Sequence, residues 1–200
     1  MMSLKGFTLI ELIIAVAIFS ALIIVVASLL ISVMQNPQSQ MTAMDNIDRA
    51  RFVSSQFANE IRSAAYGSYP LIEAENSEII FYSPVGASAG NINRIRYYIS
   101  GSTAYKGVIV PINGIYNTNS EVVTPLFINL SNGSDPLFYY YDGSYGSSGS
   151  SPLSQPVNVN QVKFVKINLI VPRQITAQDT STFSLNVGAA IRVLKNNLSD

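Results

Sequence analysis

The chain has 200 residues, in which 12 Lys and Arg balance 12 Asp and Glu, and it contains no His, Cys or Trp. A neutral chain lacks the cationic excess that displaces counterions from nucleic acid, so we expect no direct nucleic-acid binding. Without His and Cys it cannot build Cys/His zinc sites, His-ligated haem, Cys–His nucleophiles or a Ser–His–Asp triad. These exclusions remove most familiar hydrolase mechanisms, and we expect no catalytic residue, no metal site and no cofactor.

An uncharged segment of 23 residues runs from Leu12 to Met34 and consists mainly of Ile, Leu, Val and Ala. As a helix it would be roughly 34 Å long, enough to cross a hydrocarbon core of about 30 Å. A secretory signal has a shorter apolar core, about 7–15 residues, followed by a small-x-small cleavage site, and this segment has neither feature. The sequence therefore predicts a single membrane span that stays with the protein.

A short leader, residues 1–6, precedes the span. Its charged side chain, Lys5, and the terminal amine favour a cytoplasmic N-terminus, which leaves the rest of the chain facing outward. The junction Lys5–Glu11, KGFTLIE, resembles the class III signal of type IV prepilins and of type II secretion pseudopilins. The resemblance implies that a prepilin peptidase cleaves between Gly6 and Phe7 and that Phe7 is then N-methylated.

Glu11 places a carboxylate at the head of the apolar span, surrounded in sequence by Leu and Ile. A charge there is unfavourable without a partner, so a functional role is the first interpretation. The amine of a cleaved Phe7 lies four residues earlier on the same helical face, and a turn of helix can present Glu11 to its own chain or to a neighbour. The resemblance implies the neighbour, which makes Glu11 an assembly residue. The alternative is a membrane-edge carboxylate that reaches headgroup water.

Beyond the span the sequence predicts an amphipathic helix after a bend at Pro37. Apolar residues recur at spacings of three, four or seven and form one face of this helix: Met41, Met44, Ile47, Ala50, Phe57 and Ile61. Charged residues cover most of the remaining helix surface: Asp45, Asp48, Arg49, Arg51, Glu60 and Arg62. This half of the helix, residues 35–66, therefore has one face to bury, and Gly67 and Pro70 are expected to end it.

Short apolar runs separated by turn residues take over from Leu71 and predict an antiparallel β-domain of one or two sheets. Asn113-Gly114 is a strong two-residue turn signal, and Pro111 suggests an edge strand. The predicted strands are 79–85, 92–99, 108–112, 115–116, 126–130, 137–141, 162–171 and 183–193. The predicted fold class is α+β, with a leader (1–6), a transmembrane helix half (7–34), an amphipathic half (35–66) and an extracytoplasmic β-domain (67–200).

Beyond the membrane span, three features resemble the W-type minor pilins and J-type minor pseudopilins. They are Asp48–Arg51 in the helix, Tyr140-Tyr141-Asp142 at a strand end, and the closing run Thr182–Asn196. The resemblance implies a type IV pilin-like fold and a minor, non-enzymatic subunit of a type IV pilus or type II secretion-like filament.

The same resemblance implies the partners and the location. Membrane lipid, prepilin peptidase and an inner-membrane assembly platform would meet the chain first, and other pilin or pseudopilin subunits would then bind its N-terminal helix. The chain would begin as a single-pass protein of the bacterial cytoplasmic membrane and end in a periplasmic or cell-surface filament. The alternative is a signal-anchored extracytoplasmic β-domain that acts as a binding module and never polymerises.

Three other patterns receive structural interpretations. Gly86–Gly90 matches the G-x-S-x-G string around Ser88, but the chain has no His base, so we predict a hairpin loop. Asp135 and Asp142 carry oxygen ligands that suit Ca²⁺, yet an apolar strand separates them, which favours turn-forming aspartates. The run 138–141, Phe-Tyr-Tyr-Tyr, could stack on sugars or bases, but a strand with one buried face explains it without a ligand.

Overall fold

The computed structural model describes residues 8–67, 69–88, 90–173 and 181–192, with residues 32–43 described as backbone only. A single α-helix, α1 (Leu9–Arg62), precedes all the strands. The strands are β1 (Leu71–Ala74), β2 (Glu78–Ser83), β3 (Asn93–Ser100), β4 (Thr103–Ile109), β5 (Val122–Phe127), β6 (Phe138–Tyr141), β7 (Phe164–Pro172) and β8 (Thr182–Ala190).

The eight strands form two antiparallel sheets. The larger sheet has the order β1-β2-β3-β4-β5 and the smaller has the order β6-β7-β8. Backbone bonds from Leu137 and Phe138 to the carbonyl of Asn76 tie β6 to the β1–β2 turn. The predicted α+β class, a long N-terminal helix packed on an antiparallel β-domain, is confirmed.

The last third of α1 packs against both sheets. Ala50, Val53, Phe57 and Ile61 are at most 2% exposed. The Phe57 ring lies 5.2 Å from the ring of Tyr97 on β3 and 5.5 Å from that of Phe138 on β6. Full burial of an apolar side chain stabilises the fold by about 1.5–3 kcal/mol, so this face fixes the helix to the domain.

At four positions α1 differs from the prediction or leaves it untested. Met44 is 65% exposed and does not belong to the buried face, whereas Glu60, predicted to face solvent, is only 3% exposed. The helix is continuous through Pro37, and the bend stays a prediction. Met41 lies among the residues whose side chains are not described.

Strand prediction succeeded in outline and failed at β4. The hairpin of β2 and β3 is confirmed, with Glu78 opposite Tyr98 and Ser83 opposite Asn93. However, β4 begins at Thr103, not Val108, and lies between β3 and β5. Pro111 follows the end of β4, so the prediction of an edge strand there is wrong. Pro125 instead lies within the edge strand β5, where a missing N–H is tolerated.

The remaining strand predictions differ mainly in extent. Strand β1 was not predicted, and β5 begins at Val122, four residues before the predicted run. Strands β6 and β7 lie within or near the predicted runs, and β8 ends at Ala190. The end of the closing run, residues 193–196, lies outside the described residues.

The turn at Asn113-Gly114 is confirmed. Both residues have positive φ, 52° and 77°, as a type I′ turn requires. Ile112 and Ile115 exchange two backbone hydrogen bonds across it, each 3.0 Å long.

The other motifs fall in turns and strands as expected. Ser88 lies in the loop between β2 and β3, where its carbonyl accepts from Asn91 N. Asp142 Oδ1 accepts from both the backbone N and the hydroxyl of Ser144, a turn-forming arrangement that lowers the pKa of Asp142. In β6, Phe138 and Tyr140 are fully buried, so the aromatic run is explained by packing.

Candidate assembly site

The N-terminal part of α1 does not pack against the β-domain. Within the described residues it is the one helix long and apolar enough to cross a membrane, Leu9–Ile31, with a mean hydropathy of 3.0. None of it is buried in the protein, and its large apolar side chains are 52–76% exposed. Such a surface is stable only in lipid or against other apolar surfaces.

Polar groups inside the span are satisfied within the helix. The hydroxyl of Ser20 donates to the carbonyl of Val16 at 2.7 Å, and that of Ser28 donates to the carbonyl of Val25 at 2.8 Å. These bonds let two serines remain in an apolar environment at little cost.

The helix starts with a capping box formed by Thr8 and Glu11. The Glu11 backbone N donates to Thr8 Oγ1 at 3.4 Å, while the Thr8 backbone N and hydroxyl both donate to Glu11 Oε2 at 3.0 Å. This arrangement satisfies free N–H groups of the first turn and places an acidic side chain at the positive end of the helix dipole. Glu11 thus has partners within its own chain.

Gly6 and Phe7, the predicted cleavage and methylation residues, lie outside the described residues. The contact predicted between Glu11 and a Phe7 amine is therefore not part of the described geometry. Glu11 itself is described. It lies in the first turn of α1, the helix that carries the exposed apolar surface.

A buried polar network attaches the other end of α1 to the larger sheet. Lys106 Nζ on β4 forms an ion pair with Glu60 Oε1, and the two side chains are 13% and 3% exposed. The Tyr97 hydroxyl donates to Glu60 Oε2 at 2.7 Å, and Gln56 Nε2 donates to Oε1 at 3.1 Å. Burial, together with the Glu60 carboxylate, raises the pKa of Tyr97, so its hydroxyl keeps the proton it donates.

Two further contacts fix the position of the helix. Arg49 Nε donates to the carbonyl of Leu126 on β5 at 3.1 Å, and the hydroxyl of Ser83 on β2 donates to the carbonyl of Glu60 at 3.1 Å. One continuous helix therefore carries both the exposed span and these anchors.

The sequence analysis assigned Glu60 to the solvent-facing surface. It gave no role to the other residues that make these contacts, which are Thr8, Gln56, Ser83, Tyr97 and Lys106. Thr8 could have been found, since T-x-x-E before an apolar run is the sequence signature of a capping box. Glu60 had no local signal, because its burial depends on Lys106, which is 46 residues away.

Comparisons with known proteins found one family model and a similar solved structure. Residues 1–27 match the family described as the prokaryotic N-terminal methylation motif. The structure is similar to that of a type IV-like pilin from Thermus thermophilus, with 10% sequence identity and a TM-score of 0.47, over 74% of this chain and 97% of that chain. No curated protein matches the chain.

The matched motif spans the leader, the capping box and most of the exposed span, and the helix that it begins leads into two antiparallel sheets. The chain therefore carries the prokaryotic N-terminal methylation motif at the head of a long helix that packs on an antiparallel β-domain.

Proposed function

We propose that the chain is a minor, non-enzymatic structural subunit of a type IV pilus or a type II secretion-like filament. Prepilin peptidase cuts it between Gly6 and Phe7, Phe7 is N-methylated, and Glu11 pairs with the new amine of a neighbouring subunit. The observation that carries this proposal is the exposed apolar surface of Leu9–Ile31 on a helix whose other end is anchored in a folded domain.

The physical mechanism is an exchange of apolar environments. In the membrane the span is covered by lipid, and in a filament it is covered by the same segment of other subunits, so water never contacts it. A helix fixed at its far end by Glu60 and Phe57 keeps its domain attached while it moves from one environment to the other.

This mechanism defines the location and the partners. The chain is inserted in the cytoplasmic membrane with its N-terminus inside and its β-domain outside, and an inner-membrane platform then adds it to a periplasmic or cell-surface filament. Its partners are lipid, the peptidase, the platform and other pilin-like subunits. The features shared with W-type pilins and J-type pseudopilins support a minor subunit.

The second candidate is a signal-anchored binding module that never polymerises. It is favoured by the capping box, because Thr8 satisfies Glu11 without any neighbour. On that account Glu11 serves only to begin the helix.

Processing tests the proposal at the leader. We expect intact-mass analysis of the membrane fraction to show a chain that begins at Phe7 and is one methyl group heavier than the bare sequence. Gly6→Val should leave the chain uncut, because a peptidase that cuts at the membrane face must fit the residue before the bond in a narrow subsite. Ser3→Val, also in the leader, should be cut normally. Retention of Met1 in cells with an active prepilin peptidase would contradict the proposal.

A further inference from the structure

A short hairpin, residues 110–116, exposes aliphatic side chains at one end of the larger sheet. Val110, Ile112 and Ile115 are 50%, 69% and 70% exposed. Ile112 and Ile115 are directly opposite each other across the turn, so their side chains lie on the same face of the hairpin and form a continuous apolar patch. We call this segment the apolar hairpin.

The apolar hairpin is held rigidly on its other face. The ring of Tyr116 lies 5.0 Å from that of Tyr82 on β2 and 6.2 Å from that of Tyr66. The Tyr116 hydroxyl also donates to the carbonyl of Ile92 at 2.7 Å. A surface fixed in this way loses little conformational entropy on binding, which suits it to a specific partner.

The charges around the apolar hairpin favour a protein partner over lipid. The sequence from Gly107 to Ser120 contains no charged residue. The flanking charges are engaged elsewhere, Lys106 with Glu60 and Glu121 with Arg96. Arg94 stands opposite Ile109, but one arginine is far from the clusters of about four to eight cations that bind anionic lipid. Preformed aliphatic anchors without charge fit an apolar pocket in another protein.

The position of the apolar hairpin, taken with the proposed function, favours a neighbouring filament subunit. Tyr66, which contacts Tyr116, lies four residues after the end of α1, so the hairpin is at the end of the molecule opposite Leu9. A straight helix of 54 residues is about 81 Å long. In a filament that grows from the membrane, this far end of each subunit faces the subunit added before it.

We propose that the apolar hairpin docks in an apolar pocket of the preceding filament subunit, a protein that itself carries the N-terminal methylation motif. The inference rests on the proposed function, and it adds a contact between β-domains to the one made by the N-terminal helices.

Site-specific photo-crosslinking tests the partner. The chain has no cysteine, so Ile115→Cys gives the full-length protein a single thiol at which a benzophenone can be attached in cells that assemble filaments. We expect ultraviolet light to produce an adduct with a protein whose peptides include an N-methylated first residue followed by an apolar span. An adduct with lipid, with a protein that lacks the motif, or no adduct in filaments that contain the labelled chain would overturn the proposal.

Substitution tests the contribution of the contact. Ile112→Ser with Ile115→Ser should lower the filament-associated fraction about tenfold, since two aliphatic anchors are lost. Ile128→Ser is the matched control, because Ile128 is 54% exposed and lies outside the hairpin. An equal loss in both variants, or no loss in either, would contradict the docking role while leaving the proposed function intact. Absence of the wild-type chain from filaments would overturn both.

Discussion

Glu11→Val is expected to reduce the filament-associated fraction of the protein about tenfold or more at equal membrane abundance. The variant makes the span more hydrophobic, so insertion and folding of the β-domain should be unchanged. In an assembled apolar bundle, however, the methylated amine of a neighbour's Phe7 would lose its carboxylate, and an unpaired charge in a medium of low dielectric is strongly unfavourable. Co-purification or crosslinking with other filament subunits measures the effect.

Two matched variants separate pairing between subunits from helix capping. Glu11→Gln keeps an oxygen that can accept from Thr8 but loses the charge, whereas Thr8→Val removes the capping hydroxyl and keeps the charge. Pairing predicts that Glu11→Gln assembles as poorly as Glu11→Val and that Thr8→Val assembles nearly normally. Cleavage after Gly6 should continue in all three.

The opposite pattern would support the signal-anchored binding module. If Glu11→Gln behaves as the parent protein and Thr8→Val shows the same small change as Glu11→Val, then Glu11 acts as part of the capping box. The charge would then have no role in assembly.

Glu60→Ala is expected to lower the free energy of unfolding of the β-domain by about 3–5 kcal/mol, the usual effect of removing one partner of a buried ion pair. The ammonium of Lys106 would be left almost buried, and the Tyr97 hydroxyl would lose its acceptor. Urea unfolding of the full chain in detergent micelles, followed by tyrosine fluorescence and circular dichroism, measures the change.

An exposed ion pair provides the control for Glu60. Arg51 and Asp48 are paired at 3.4 Å with side chains 66% and 74% exposed, so Arg51→Ala should change stability by less than about 0.5 kcal/mol. Glu60→Leu combined with Lys106→Met should recover most of the loss, because a buried pair replaced by apolar residues is often neutral. A loss below about 1 kcal/mol in Glu60→Ala would show that the network does not hold α1 on the sheet.

Features set by neighbouring residues were predictable from the sequence. The apolar helix and the turn at Asn113-Gly114 each depend on residues that are neighbours in sequence. Both predicted features are present in the structure. The buried face of α1 was predicted at Ala50, Phe57 and Ile61 because helical periodicity is also local.

Features set by distant residues were not predictable in the same way. Glu60 was assigned to the solvent-facing surface because a carboxylate in an amphipathic helix is usually exposed, and only Lys106 and Tyr97 on the sheet make its burial favourable. The predicted start of β4 is five residues too late. Residues 103–107, the first five of its seven, have little apolar character and are held by pairing with β3 and β5.

The quantity of this protein in sheared filaments tests its proposed role as a minor filament subunit most directly. Filaments sheared from cells, purified and analysed by quantitative mass spectrometry should contain this chain as a small minority relative to the main subunit, with N-methylated Phe7 as its first residue. Parity with the main subunit would contradict the minor role. Absence from the filaments, with the protein still present in the membrane, would contradict its function as a filament subunit.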